Sequence, residues 1–250
     1  KNLIYLCTPF SRAAAKRLEE MSVSAFKIGS GECNNLPLID YICGFNKPIV
    51  LSTGMNDLSS IKRSASKIRD SGNPLALLHC TSMYPTPYSE VRLPAITTLK
   101  REVPYAVVGI SDHSLDIYTS LGAVALGASI VEKHFTSDKS WEGPDIPISI
   151  DKNELRSLID GSRAIHEASC GNVGKLSGEA ATIRFAYASV VSTRKIEKGE
   201  ELTRENVWVK RPGTGAFRAE DYEQVLGRKA MRMILPDSQI EEGMLAEDDI

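Results

Sequence analysis

The chain has no long apolar run and no surplus of either charge, with 30 Lys+Arg against 32 Asp+Glu in 250 residues. Its longer apolar stretches, such as 121–126, fall far short of the roughly 20 residues of a membrane span. A net charge of -2, mixed along the chain, leaves no basic footprint for nucleic acid. Cysteine is sparse: Cys7, Cys33, Cys43, Cys80 and Cys170 are an odd number, widely spaced, with no C-x-x-C pair. That pattern excludes a zinc or disulfide framework and reads as buried thiols in a reducing compartment, which places the protein in the cytoplasm. Residues 1–6 reach Thr8-Pro9 too soon to be the core of a signal peptide. What remains, 42% apolar and 25% charged, is the composition of a globular protein with one large domain, or one large and one small.

Six short β-rich runs are predicted as strands, at 4–7, 26–29, 49–52, 76–80, 106–110 and 129–132. Helical spacing lies between and after them, at 11–21, 59–70, 114–126 and 151–168. Ser11, Asp57, Ser114 and Asp151 are the predicted caps, the last with Glu154 three residues on. Alternating strands and helices imply a parallel sheet. Nearly every strand ends in small or polar residues: Thr8-Pro9, Ser30-Gly31, Ser52-Thr53-Gly54, Thr81-Ser82, Ser111-Asp112-His113 and Lys133-His134. Polar groups at successive strand ends suit a (β/α)8 TIM barrel, whose site is ringed by all its strands, better than an open sheet with one switch point. Six units where a barrel needs eight, with no initiator Met, lead to the expectation that the first two βα units are absent.

The pattern changes after about Gly171. The expected domains are a partial barrel over 1–170, a Gly-rich linker over 171–184 and a small, irregular, β-rich domain over 185–250.

His113 and His134 close two consecutive strands, which would bring both to the barrel mouth as ligands for a divalent cation such as Mn, Fe, Co or Zn. Glu132 shares a face with His134, as outer-shell partner, proton carrier or ion-pair partner. His79 and His166 lack such a setting. Lys27, alternating with apolar neighbours inside a strand, is costly unless it meets an anion or does chemistry. The following Gly29-Ser30-Gly31, with hydroxyls of Thr8, Ser52, Ser82 and Ser111 at neighbouring strand ends, could approach a phosphate. Tyr84-Pro85-Thr86-Pro87 is a stiff loop that fixes the direction of the Tyr ring, or a simple turn.

These residues resemble a known family. Phe26-Lys27-Ile28-Gly29-Ser30-Gly31-Glu32, Leu51-Ser52-Thr53-Gly54-Met55, His79-Cys80-Thr81-Ser82, Gly109-Ile110-Ser111-Asp112-His113, Glu132-Lys133-His134-Phe135 and Lys210-Arg211-Pro212-Gly213 are similar, in order, to the sialic acid synthases. The resemblance implies condensation of phosphoenolpyruvate with N-acetylmannosamine to give N-acetylneuraminate and phosphate. The alternative is legionaminate synthesis from 2,4-diacetamido-2,4,6-trideoxymannose. It implies Mn2+ on His113 and His134, and phosphoenolpyruvate on Thr8, Lys27, Ser30, Ser52, Ser82 and Ser111. Tyr84 and Glu132 would line the sugar site, Lys27 and Glu132 being the catalytic pair. Residues 185–250 resemble the family's antifreeze-like SAF domain, whose Phe185 and Arg211 would close over the sugar in a domain-swapped homodimer. Ser82 departs from the Asn that some members carry, and the family's first two strands, with an acidic residue and a Lys, have no counterpart here. Two other readings compete: a Schiff-base aldolase with Lys27 as nucleophile, and a non-catalytic carbohydrate-binding module motivated by the SAF-like tail.

Overall fold

The structure is a computed structural model, which describes residues 3–246. The chain divides into two compact units, Lys1–Gly171 and Asn172–Ile250. In the first, five strands form one parallel sheet in the order β1-β2-β3-β4-β5: Phe26–Ile28, Ile49–Ser52, Leu75–Cys80, Val107–Asp112 and Val131–Lys133. Helices α1 (Arg12–Glu20), α2 (Leu36–Cys43), α3 (Leu58–Asp70), α4 (Tyr88–Val91), α5 (Ala95–Glu102), α6 (Tyr118–Ala125) and α7 (Lys152–Ala168) lie between and after them. This is the predicted α/β alternation. One predicted strand is corrected: residues 4–7 run without regular pairing, tied to β1 by a bond from the Lys27 N–H to the Cys7 carbonyl at 3.4 Å. Leu3 to Leu6 are exposed there, so this apolar run has the composition of a strand without its ladder.

Three of the predicted caps bond as expected. Ser11 accepts from the Ala14 N–H, Asp57 from the Ser60 N–H, and Asp151 with Glu154 forms a reciprocal capping box. Ser114 does not: α6 begins at Tyr118, and the Ser114 N–H bonds the Asp112 carboxylate instead. Helix α2 was missed because eight residues, apolar on most sides and with Pro37 near its start, carry little period.

Register explains how the sheet divides its faces. Phe26, Ile49 and Leu75 stand side by side, as do Ile28, Leu51, Leu77 and Val108. All join one apolar core with Leu18 of α1, Ile39 and Ile42 of α2, Ile61 and Ile68 of α3, and Ile96 and Leu99 of α5. The alternate face carries Lys27, Ser52, Cys80, Ser111 and Glu132. A period of two thus puts packing on the helix side and polar groups on the other.

In the second unit α8 (Ala180–Ala186), which begins in the span expected as linker and ends two residues beyond it, precedes the antiparallel pair β6 (Ser189–Ser192) and β7 (Val207–Lys210). A short helix α9 (Tyr222–Val225) follows. Single bridges such as Val191 to Gln239 and Ile196 to Ile234 complete a small core that includes Val190, Val207, Phe217, Val225 and Ile240. Residues 231–235 form no regular strand and pair there only through the bridge at Ile234. Among the described residues no helix is long and apolar enough to cross a membrane. Of the cysteines, Cys33, Cys43 and Cys80 are buried as expected, whereas Cys7 is half-buried and Cys170 exposed.

Gly109 admits β5 against β4: a Cβ there would collide with the Ile130 carbonyl oxygen and sit 2.8 Å from Leu78 Cδ2. Gly109→Ala is therefore expected to destabilise the first unit by about 1–3 kcal/mol, read as a lowered urea midpoint at unchanged m-value.

Candidate active site

The polar face of the sheet and its strand ends enclose a cavity of about 530 Å³. Its lining contains every candidate that the sequence placed on the first unit: the hydroxyls of Thr8, Ser30, Ser52, Ser82 and Ser111, the charged Lys27 and Glu132, and the rings of Tyr84, His113 and His134. Phe185 and Arg211 belong to the second unit, Phe185 exposed on α8 and Arg211 just after β7.

Lys27 and Glu132 sit on the two edge strands, yet Lys27 Nζ lies 3.2 Å from Glu132 Oε2. The sheet must curl strongly for its edges to meet, which makes it a half-barrel. The other Glu132 oxygen accepts from Ser111 Oγ at 2.7 Å. Lys27 is 11% exposed and Glu132 40%, so the ammonium is sheltered while the carboxylate faces the cavity.

A second cluster surrounds the histidines. Their ring centroids are 5.2 Å apart, and Tyr84 packs 4.2 Å from the His113 ring. The predicted stiffness of the Tyr84 loop takes a concrete form, because the Thr86 N–H bonds the His113 carbonyl and Thr86 Oγ1 bonds the Thr81 carbonyl. His113 Nδ1 lies 3.0 Å from the Thr81 carbonyl, an acceptor only, so Nδ1 carries the proton and Nε2 keeps its lone pair. Asp145 Oδ2 stands 3.7 Å from His134 Nδ1, a neighbour the sequence did not reveal because it lies in an irregular loop eleven residues on.

The electrostatics of this cluster are coupled. Burial raises the Cys80 thiol, but the His113 ring and the Ser30 and Ser82 hydroxyls outweigh it and bring the thiol down to about 7. Burial disfavours the His113 cation, yet the Cys80 and Thr81 contacts and Glu132 prevail and its pKa is raised. His134 is lowered, first by burial and then by His113, so it is held neutral as a metal ligand must be. Cys80 was read only as a buried thiol, and nothing local in the sequence marks its approach to His113.

The hydroxyls are arranged around a glycine. Ser30 Oγ accepts from the Gly54 N–H at 3.0 Å, and Asn56 Nδ2 donates to the Ser30 carbonyl. A Cβ on Gly54 would overlap Ser82 Oγ and lie 2.8 Å from Ser30 Oγ and 3.1 Å from Cys80 Sγ. Only glycine leaves these three strand ends close together. A separate cavity of about 430 Å³ lies between α3 and α5 and shares Met55 and Cys80 with the first, but takes in none of the other candidates.

The donor set suits a metal in part. Two imidazoles match a divalent cation of borderline hardness, while among the described residues no three His, Cys, Asp or Glu groups gather to hold one unaided. His113 and His134 therefore fit as part of a shell whose other positions stay open to water or substrate.

A curled parallel α/β sheet with a lysine, hydroxyls and a histidine pair at its strand ends defines the class: an α/β half-barrel whose candidate site lies at the C-terminal ends of its strands. The chain belongs to the NeuB family, which it matches over residues 1–174, and it carries a SAF domain at 187–246. It is 40% identical over 245 residues to the N,N'-diacetyllegionaminic acid synthase of Campylobacter jejuni, covering 96% of this chain and 73% of that protein. With the spore coat polysaccharide biosynthesis protein SpsE of Bacillus subtilis it shares 35% identity, over 85% of this chain and 61% of that one. The crystal structure of an N-acetylneuraminic acid synthetase from Leptospira borgpetersenii superposes with a TM-score of 0.69 at 33% identity, covering 73% of this chain and 64% of that one. The chain thus spans between three fifths and three quarters of the length of these relatives.

Gly54→Ala should push the Ser30 and Ser82 hydroxyls apart and weaken binding of inorganic phosphate by on the order of tenfold, measured calorimetrically, with thermal stability little changed.

Proposed function

We propose that this chain carries the site of a nonulosonic acid synthase, which joins phosphoenolpyruvate to an N-acylated hexosamine with the help of a divalent metal, Mn2+ first among candidates. The observation that carries this reading is the convergence of Lys27, the hydroxyls, Glu132 and both histidines on one cavity. Two relatives are named as synthases of legionaminic and sialic acids, which supports the same class of product. The curl that brings β1 to β5 supports a place for this sheet in a closed (β/α)8 barrel.

Lys27 and the hydroxyls would hold the phosphate and carboxylate of phosphoenolpyruvate, so much of the acceleration is positioning in a fixed electrostatic frame. His113 and His134 would hold the metal, which when bound polarises the sugar aldehyde as a Lewis acid. Tyr84, packed against His113, would wall the sugar side. C3 of the enolpyruvate attacks the aldehyde carbon, cationic character develops at C2, water adds there, and phosphate leaves by C–O cleavage. Glu132, bonded to Ser111 and Lys27, is placed to take the proton from that water. Arg211 of the SAF domain, and Phe185 on the helix just before that domain, enter by family resemblance as sugar contacts from a partner subunit in a domain-swapped homodimer. The planar fork of Arg211 suits an N-acyl carbonyl.

The sequence favoured N-acetylmannosamine. The 40% identity to the legionaminic acid synthase, against 33% to the sialic acid enzyme, favours 2,4-diacetamido-2,4,6-trideoxymannose as the substrate to try beside it. A Schiff-base aldolase draws no support from Lys27, whose nitrogen is already engaged by Glu132. A non-catalytic sugar-binding module has no use for the histidine pair.

The test is phosphate release from phosphoenolpyruvate with Mn2+, offering both sugars in parallel. Sugar-dependent release supports the synthase, and the ratio of kcat/KM values names the product. A borohydride-trapped pyruvate adduct on Lys27, with activity surviving chelation, would overturn it. His134→Ala is expected to abolish Mn2+-dependent release while the circular dichroism spectrum stays that of the parent. Arg211→Ala should raise the sugar KM far more than that of phosphoenolpyruvate; equal effects on both would remove Arg211 from the sugar site.

A further inference from the structure

Asp112 and Lys133 immediately precede the two histidines and face the opposite side of the sheet. They are cross-strand partners in register, the last pair of the β4–β5 ladder. Lys133 Nζ lies 3.3 Å from Asp112 Oδ2, with the side chains 3% and 1% exposed. The carboxylate is saturated on its other sides by Thr119 Oγ1 at 2.7 Å, Ser120 Oγ at 2.6 Å and the Ser114 N–H at 2.9 Å. Lys133 Nζ also donates to the Ser114 carbonyl at 2.5 Å. One ammonium, on the residue next to His134, therefore grips the residue before His113 and the residue after it.

We propose that Asp112 and Lys133 are positioning residues: their ion pair fixes the separation and relative orientation of His113 and His134, and so prepares the two imidazoles to share one divalent cation. The inference deepens the metal reading given above and rests on it for the cation alone.

Three considerations support it. First, the strand positions on the helix-facing side are otherwise apolar apart from His79, so a buried charge pair at this rung breaks the pattern of the sheet. Second, a buried ion pair is a poor way to gain stability, since well-packed apolar groups of similar volume do as well or better. What it offers and an apolar contact lacks is direction and a set distance. Third, β4 and β5 share only three registered pairs, and on the cavity side the last link before the histidines is the Ser111 to Glu132 bond. The two links alternate across the sheet, and together they hold strand ends that would otherwise fray.

The experiment compares the parent protein with Lys133→Met, Asp112→Asn and the conservative Lys133→Arg. The first readout is metal-free: nuclear Overhauser contacts between the His113 and His134 ring protons. The second is Mn2+ affinity from the free-ion electron paramagnetic resonance signal. Lys133→Met and Asp112→Asn are expected to lose the ring contacts and to weaken Mn2+ binding by about 10–100-fold, while Lys133→Arg recovers most of both. Inorganic phosphate binding should fall far less than Mn2+ binding, because Lys27, Ser30, Ser52 and Ser82 lie on β1 to β3 or at their ends and Ser111 alone shares β4. Folded variants that keep the ring contacts and bind Mn2+ as the parent does would overturn the proposal and leave the pair a structural one. If the parent itself binds no Mn2+, the metal reading fails, and the ring contacts still decide whether the pair positions the histidines. Should the single variants not fold, the double variant Asp112→Asn/Lys133→Gln removes both charges together and is read in the same two ways.

Discussion

The Lys27–Glu132 ion pair is the constraint on which the site depends, because it joins the two edges of one sheet across its concave face. In a flat sheet, side chains on the first and fifth strands would be about 19 Å apart, at nearly 5 Å per strand. Here two of them are within ion-pair distance, and the interior they close is narrow enough for hydroxyls on the strands between to reach a common ligand. The charge balance matters as much as the geometry. A lone lysine in this interior would carry a heavy desolvation cost, whereas a carboxylate exposed on its far side lets the pair open toward an incoming anion.

Much of this was legible in the sequence, for a physical reason. Polar residues at strand ends have no packing role, so Ser52, Ser111, His113 and His134 stood out against the Val, Ile and Leu around them. Lys27 stood out because a charge alternating with Phe26 and Ile28 must face away from the core they build. The same logic failed where local composition and long-range pairing part company. Residues 4–7 have the composition of a strand, but ladder bonds depend on a neighbour that composition does not report. Ser114 looked like a cap because it precedes a helical pattern, yet Asp112 captures its N–H and delays α6 to Tyr118. Asp145 and Cys80 were invisible as site groups because their approach to the histidines is made in three dimensions only.

The cluster around His113 shows how local bonds set chemical roles. The Thr81 carbonyl fixes the proton on Nδ1, and the same loop returns through Thr86 to bond the His113 backbone, so ring and main chain are held by one segment. Tyr84 is carried on that segment and packs, tilted, against the ring it helps to orient. His134 has a looser setting, with a carboxylate at 3.7 Å and a partly exposed ring. One imidazole is therefore locked and the other adjustable, a combination that would let the proposed cation settle without strain at both rings.

Alternation along the strands lets these demands coexist in few residues. From 110 to 113 on β4 and its end, successive side chains serve the helix core, the cavity, the helix side again and the cavity again: Ile110, Ser111, Asp112, His113. Strand β5 answers with Val131, Glu132, Lys133 and His134 in the same rhythm. Each cavity-facing group is thus flanked by residues that anchor the backbone from behind, so the site's precision comes from the opposite face of the sheet. A one-residue slip of β5 would turn Val131 and Lys133 toward the cavity and Glu132 and His134 toward the helices. The paired links, Ser111 to Glu132 in front and Asp112 to Lys133 behind, oppose that slip from both sides at once.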